Sequence, residues 1–149
     1  QGADRANFAY GLYYENELIS LMTFGKSRFN KNYKWELLRF VNKINYKDIG
    51  GASKLFKKAD LNNIISYCDL RYFSGNLYEK LGFSFFGQTQ PNYYYVKNKI
   101  RYSRLKFQKH KLKNILENFN SSVTEEENMY NNGYTRIYDC GNLIFVKKE

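Results

Sequence analysis

Residues 48–83, DIGGASKLFKKADLNNIISYCDLRYFSGNLYEKLGF, constrain the fold more than any other stretch. A glycine-led loop runs into Ile49–Lys58, where Ile49, Ala52, Leu55, Phe56 and Ala59 recur at helical spacing. The apolar run Ile64–Cys68 then reads as a core strand ending at Asp69. After a loop, Asp69–Asn76, a second helix runs to Leu81. Ser74 is its candidate cap, and Gly82 closes it in the left-handed conformation that glycine tolerates. Strand, loop, helix and strand in this order are α/β grammar and predict a parallel pair. Gly50 and Gly51 let a ligand approach the backbone at the start of the first helix. Free N–H groups there suit a phosphate, although glycine is also an acceptable ordinary N-cap.

The flanking segments supply further strands. Phe8–Tyr14 and Glu17–Phe24 predict a hairpin about Glu15-Asn16. A basic loop, residues 25–32, leads to Trp35–Val41, apolar on both faces as a central strand is. Glu36 and Arg39 interrupt that strand, and an unpaired buried charge is costly, so each needs a partner or a cleft. Phe83–Phe86 and Asn92–Val96 are also strands. Residues 97–113 hold eight Lys or Arg, one His and no acid, interleaved with Ile100, Tyr102, Leu105, Phe107 and Leu112. That mixture suits a nucleic-acid surface; the bland alternative is one solvated face of a helix over Phe107–Leu116. Thr124 and Glu127 form a capping box for a short helix ended by Asn131-Asn132-Gly133. Tyr134–Val146 reads as a hairpin about Cys140-Gly141-Asn142.

The 149 residues suit one domain with its own core. Gln1–Asn7 reads as a linker or cut end, 8–97 as the core, and 98–149 as a basic extension packed on it. A net charge of +10 favours polyanions. No apolar run approaches the roughly 20 residues that span a bilayer, and no secretory leader is evident. The expectation is therefore a cytoplasmic protein with no membrane partner. Cys68 and Cys140 lack ligand spacing and read as reduced core thiols. Asp48, Asp60 and Asp69 do not make a nuclease-type carboxylate cluster, so no metal is expected.

Leu77-Tyr78-Glu79-Lys80-Leu81-Gly82-Phe83 resembles the Tyr-x-x-x-Gly-Phe end of the GCN5-related N-acetyltransferase (GNAT) fold. Lys47-Asp48-Ile49-Gly50-Gly51-Ala52-Ser53 stands where that family has Arg/Gln-x-x-Gly-x-Gly/Ala. It departs in its leading Lys and its adjacent glycines. Tyr67-Cys68-Asp69-Leu70-Arg71 with Gly75-Asn76-Leu77-Tyr78 is similar to the phage Mom group, acetyltransferase-like proteins that modify adenine in DNA. Trp35–Lys97, the Arg101–His110 tract and Gly133–Asn142 also look like the C-terminal part of phage homing endonucleases, which follows a separate nuclease domain.

The resemblance implies an α/β fold with a GNAT-like, mixed but mostly antiparallel sheet flanked by helices and a C-terminal helical and hairpin extension. The family's first strand and first two helices have no counterpart before Phe8. It implies acetyl-CoA or another acyl-CoA as cofactor, held by Lys47, Gly50, Gly51, Ala52, Ser53 and Asn76. Tyr78 would be the general acid at the leaving thiolate, and Asp69 would accept or orient the acceptor's proton. The plainer roles are a Tyr78 packed on Phe83, an Asp69 paired with Arg71, and an Asn76 that only makes a turn. DNA would be the partner, contacted by Arg39, Arg71, Arg101, Arg104, Lys106 and Lys109, with an upstream nuclease domain a further candidate and a phage-infected host's cytoplasm the setting. Two function classes stay open. One is acyl transfer to a nucleobase or another amine; the other is a non-catalytic DNA-binding domain of a homing endonuclease.

Overall fold

A computed structural model describes residues 4–148, as a mixed α/β protein with a mostly antiparallel main sheet. The chain forms two compact units, one made of residues 1–89 with 142–149, the other of 90–141. The boundary expected at residue 97 therefore falls earlier, and the last strand belongs with the first unit.

In the first unit, β1 (Phe8–Tyr14), β2 (Glu17–Lys26), β3 (Trp35–Asn42), β4 (Ile64–Asp69) and β5 (Ser84–Gln88) are joined by a later strand, β9 (Asn142–Lys147). Their order is β1-β2-β3-β4-β9-β5. Glu15 and Asn16 both take positive φ, which the two-residue hairpin turn requires. Helix α1 (Gly51–Ala59) crosses from β3 to β4, and these two are the parallel pair. It buries Leu55 and Ala59 against Met22, Phe24, Leu37 and Ile64. Ile49, which shares the helical spacing, lies before the helix and is exposed, because the helix starts only at Gly51. Helix α2 (Asn76–Lys80) follows β4, and Gly82 behind it has the expected positive φ. Asn7 N–H donates to the Phe24 carbonyl and Lys26 N–H to Asn7 Oδ1, so residues just before β1 are tied to β2 rather than hanging as a linker. Residues 1–3 of the expected linker lie outside the described residues.

β3 and β4 pair only through Trp35–Ile64 and Glu36–Ile65. Past that point they part. Ser66 Oγ donates to the Leu37 carbonyl at 2.7 Å, so a buried side chain satisfies an acceptor that the ladder leaves open. The other edge of β4 stays paired with β9 along its whole length.

The second unit is a three-stranded antiparallel sheet in the order β7-β6-β8, from β6 (Tyr93–Lys97), β7 (Ile100–Ser103) and β8 (Thr135–Tyr138). A 3-10 helix (Arg104–Phe107), α3 (Lys109–Leu112) and α4 (Glu125–Asn131) complete it. Its core is Tyr95, Phe107, Leu112, Leu116 and Met129. Thr124 and Glu127 form the capping box of α4 as expected. The expected hairpin over 134–146 does not form. β8 joins β6 in this small sheet, whereas β9 enters the main sheet between β4 and β5. The reason is burial, since Phe145 and Val146 are core residues, whereas Ile137 and Tyr138 are exposed on an edge strand. The alternative weighed for this stretch, one helix over 107–116, does not form; a 3-10 turn and the single turn of α3 take its place. β7, unforeseen, pairs with β6 through a turn at Asn98-Lys99, both at positive φ.

Candidate functional site

Two places in the structure gather the chemistry. The first lies where β3 and β4 part. Phe40 of β3, Cys68 of β4, Tyr72, Phe73 and Ser74 of the following loop, and Gly75 to Tyr78 of α2 line a cavity of about 250 Å³. A crevice outside the carboxyl ends of diverging strands is where α/β sheets collect ligands. Tyr78 stacks on Phe145 at 5.0 Å and meets Phe83 edge-on at 5.8 Å, so its packing role is real. Its hydroxyl bonds with Ser66. Burial pushes the phenol up, with that bond pulling the other way, so it stays protonated at neutral pH. Burial likewise raises the Cys68 thiol, opposed by a backbone bond at Gly75, and keeps it an inert neutral group. Cys140, by contrast, is exposed rather than a core thiol.

Asp69 does not face this cavity as an available base. Arg71 grips both its oxygens, with Nε at 3.0 and 3.1 Å and Nη2 at 2.5 Å. That bond, opposed by partial burial, holds the carboxyl below its usual range. A depressed carboxylate stabilises the fold above its unfolded pKa, and the contribution is lost as pH falls through the folded value. Asp69→Asn is therefore expected to flatten the acid limb of the stability profile below about pH 4, measured by urea unfolding, and to leave stability near pH 7 lower.

At the turn before α1, Gly50 is the N-cap with φ 75° and no side chain caps the helix. A Cβ added at Gly51 would collide with the Asp48 carboxylate, which folds over that residue. Asp48 Oδ1 accepts from Asn42 at 2.6 Å, while the buried Oδ2 has no partner among the described residues. Ala52 turns partly inward to the core, and Ser53 and Lys47 are exposed. The anion cradle expected here thus already carries a negative group. In this arrangement Lys47, Gly50, Gly51, Ala52 and Ser53 do not fit a pyrophosphate. Asn76 is exposed at the start of α2, where it lines the cavity. Gly75, not Ser74, is the N-cap there.

The second place is the basic tract. Arg101 lies over Tyr94 at 4.6 Å, Arg104 over Tyr93 at 5.4 Å and Lys106 over Tyr102 at 5.1 Å. All three cations and Lys109 are exposed. Register puts Arg101 opposite Val96, on the face of the sheet away from buried Tyr95, whereas Lys106 sits with rings of the core side. The cations therefore flank edge strand β7 from both sides. None of them has a carboxylate partner among the described residues. Four of the unit's five acids are engaged elsewhere. Glu125 accepts from Tyr93 and Tyr95 hydroxyls, Glu126 from Arg136, Glu127 caps α4, and Asp139 accepts from Asn92 and Gly141 N–H. Burial and the Glu125 carboxylate push the Tyr95 phenol up to about 12, against the opposing pull of Arg136.

Of the other expected contacts, Arg39 faces Asp4 at 3.7 Å beside a separate groove on β2 and β3. Glu36 found its expected partner in Arg28. Sequence reasoning missed Asp48 as the occupant of the glycine turn, and missed Phe40, Cys68 and Phe73 as cavity lining. No three-dimensional signal for these exists in residue spacing alone. Among the described residues no group of three or more His, Cys, Asp and Glu could hold a metal, and no helix is long and apolar enough to cross a membrane. No family model matches the chain, and no curated protein matches its sequence.

Proposed function

We propose that this protein binds DNA through the basic tract of its second unit, on a scaffold whose first unit has acetyltransferase-like strand and helix order. One observation carries the reading. Among the described residues the exposed cations of 97–113 have no carboxylate partners, while four of the unit's five acids, Glu125, Glu126, Glu127 and Asp139, are bound within the unit. Leaving so many like charges together is unfavourable in isolation and becomes favourable against a polyanion that releases counterions. Arg101, Arg104 and Lys106 each sit on a tyrosine ring, so those three rings are not bare stacking platforms. That favours the phosphate backbone of a duplex over splayed single-stranded bases. Anisotropy of a labelled duplex against salt tests it. Affinity should fall linearly in log–log form with a slope of several units, and a salt-independent or absent interaction refutes the reading.

A second reading, acyl-CoA-dependent transfer to a nucleobase or another amine, has one observation in its favour. This is the cavity at the parting of β3 and β4, lined by the protonated Tyr78. Against it stands the Asp48 carboxylate on the glycine turn. If that carboxylate is what excludes a pyrophosphate, wild-type protein will show no heat with acetyl-CoA in calorimetry, and Asp48→Asn will bind it. Heat from the wild type would instead show that Asp48 swings aside and would favour the enzyme.

A further inference from the structure

A groove of about 600 Å³ on the first unit is lined by Asp4, Arg5, Asn7, Lys26, Arg28, Leu38 and Arg39. Four cations share it with one carboxylate, and that carboxylate is already engaged, since Asp4 accepts from the Thr23 hydroxyl at 2.8 Å and faces Arg39. Arg28 is held by a buried carboxylate. Glu36 takes its backbone N–H, its Nε and its Nη2, the last at 2.5 Å. The Glu36 side chain is 2% exposed, the Arg28 side chain 56%. Burying a carboxylate is costly even when it is paired. What it achieves here is to clamp one edge of an exposed guanidinium, whose Nη1 has no partner among the described residues. The Arg28 plane is further steadied over the Phe29 ring at 5.2 Å. A fork fixed in this way is prepared for bidentate binding of phosphate oxygens.

We infer that this groove is a second phosphodiester contact, in which Arg28, positioned by Glu36, and neighbouring Arg5 and Lys26 grip the backbone of one strand of duplex DNA. The inference rests on the DNA-binding reading above and extends it to the first unit. Its geometry suits a repeating charge. The Arg5 carbonyl lies beside Gly25 of β2, and β2 lies beside β3, so the cations spread over about two strand spacings, ~10 Å. Phosphates of one strand recur about every 3.4 Å along the duplex axis, so two or three of them face the groove. An isolated phosphate would engage only part of it.

The test uses the full chain and a labelled duplex titrated with salt. Arg5→Gln with Lys26→Gln changes two exposed side chains outside the core. The slope of log affinity against log salt should shrink by about 1.8, and affinity at physiological salt should fall roughly thirtyfold. Arg28→Lys keeps the charge and a partner for Glu36 but removes the fork. It should weaken binding about fivefold with little change of slope. Wild-type binding with both variants unchanged overturns this groove and leaves the DNA-binding reading standing. Failure of the wild type to bind any duplex overturns both.

Discussion

Replacing Arg101, Arg104, Lys106 and Lys109 together by glutamine is expected to lower duplex affinity at physiological salt by two to three orders of magnitude. Each neutralised phosphate contributes about 0.9 to the salt slope. Losing four contacts therefore removes about 3.6 units of slope, and at ~0.15 M salt that amounts to several hundredfold. The fold should survive, because the four side chains are exposed and none is in a salt bridge among the described residues. Their ring contacts contribute only about 0.5–1 kcal/mol each at exposed sites. Circular dichroism and melting should show near-native structure, so a loss of affinity would report on charge rather than unfolding. Affinity equal to wild type would remove the tract from any role in binding. An Arg136→Gln control should behave in the opposite way. Arg136 joins Tyr95, Glu125 and Glu126, and its loss leaves the half-buried Glu125 and the Tyr95 hydroxyl without their cation, so it should destabilise more than it weakens binding.

Gly75→Ala is expected to be the most damaging single-methyl change in the first unit, costing about 3 kcal/mol in urea unfolding. Gly75 starts α2 with φ 93°, where a Cβ is strained. The added carbon would also run into the Phe145 ring, with Cε2 at 2.7 Å and Cζ nearer still. Overpacking alone costs typically 1–3 kcal/mol. Phe145 cannot easily retreat, because Tyr78 stacks on it and Phe85 meets its edge. The same substitution pushes on the wall of the cavity that Gly75 and Tyr78 share. A loss of less than about 1 kcal/mol would mean that this turn relaxes freely and that the cavity wall is soft.

What the sequence made legible was whatever local chemistry decides. The Thr124 capping box, the Glu15-Asn16 turn, the helix–strand–helix run and the parallel pair all follow from short-range rules, and the structure contains each of them. Glu36 and Arg39 stood out as charges in an apolar strand, and both proved to have partners. What was not legible depends on which strands meet. Tyr134–Val146 alternates like a hairpin, yet nothing in its period tells β9 to enter the main sheet while β8 stays behind. Residues 97–113 were dominated by their charge, which masked the short strand β7 and the turn at Asn98-Lys99. The glycine pair at 50–51 looked like an open phosphate cradle because spacing says nothing about where the Asp48 side chain folds. Asp69 and Arg71, two residues apart, turned out to engage each other, the plainer of their two roles.

The slot that β9 fills has a consequence for biosynthesis. Its two neighbours, β4 and β5, are both translated before residue 90, yet their shared partner emerges only after residue 141. During elongation the large sheet lacks its fifth strand, so the facing edges of β4 and β5 stay unpaired while residues 90–141 are made. The large sheet can therefore be sealed only once residues 142–147 have been made, a long-range step that comes late in its folding.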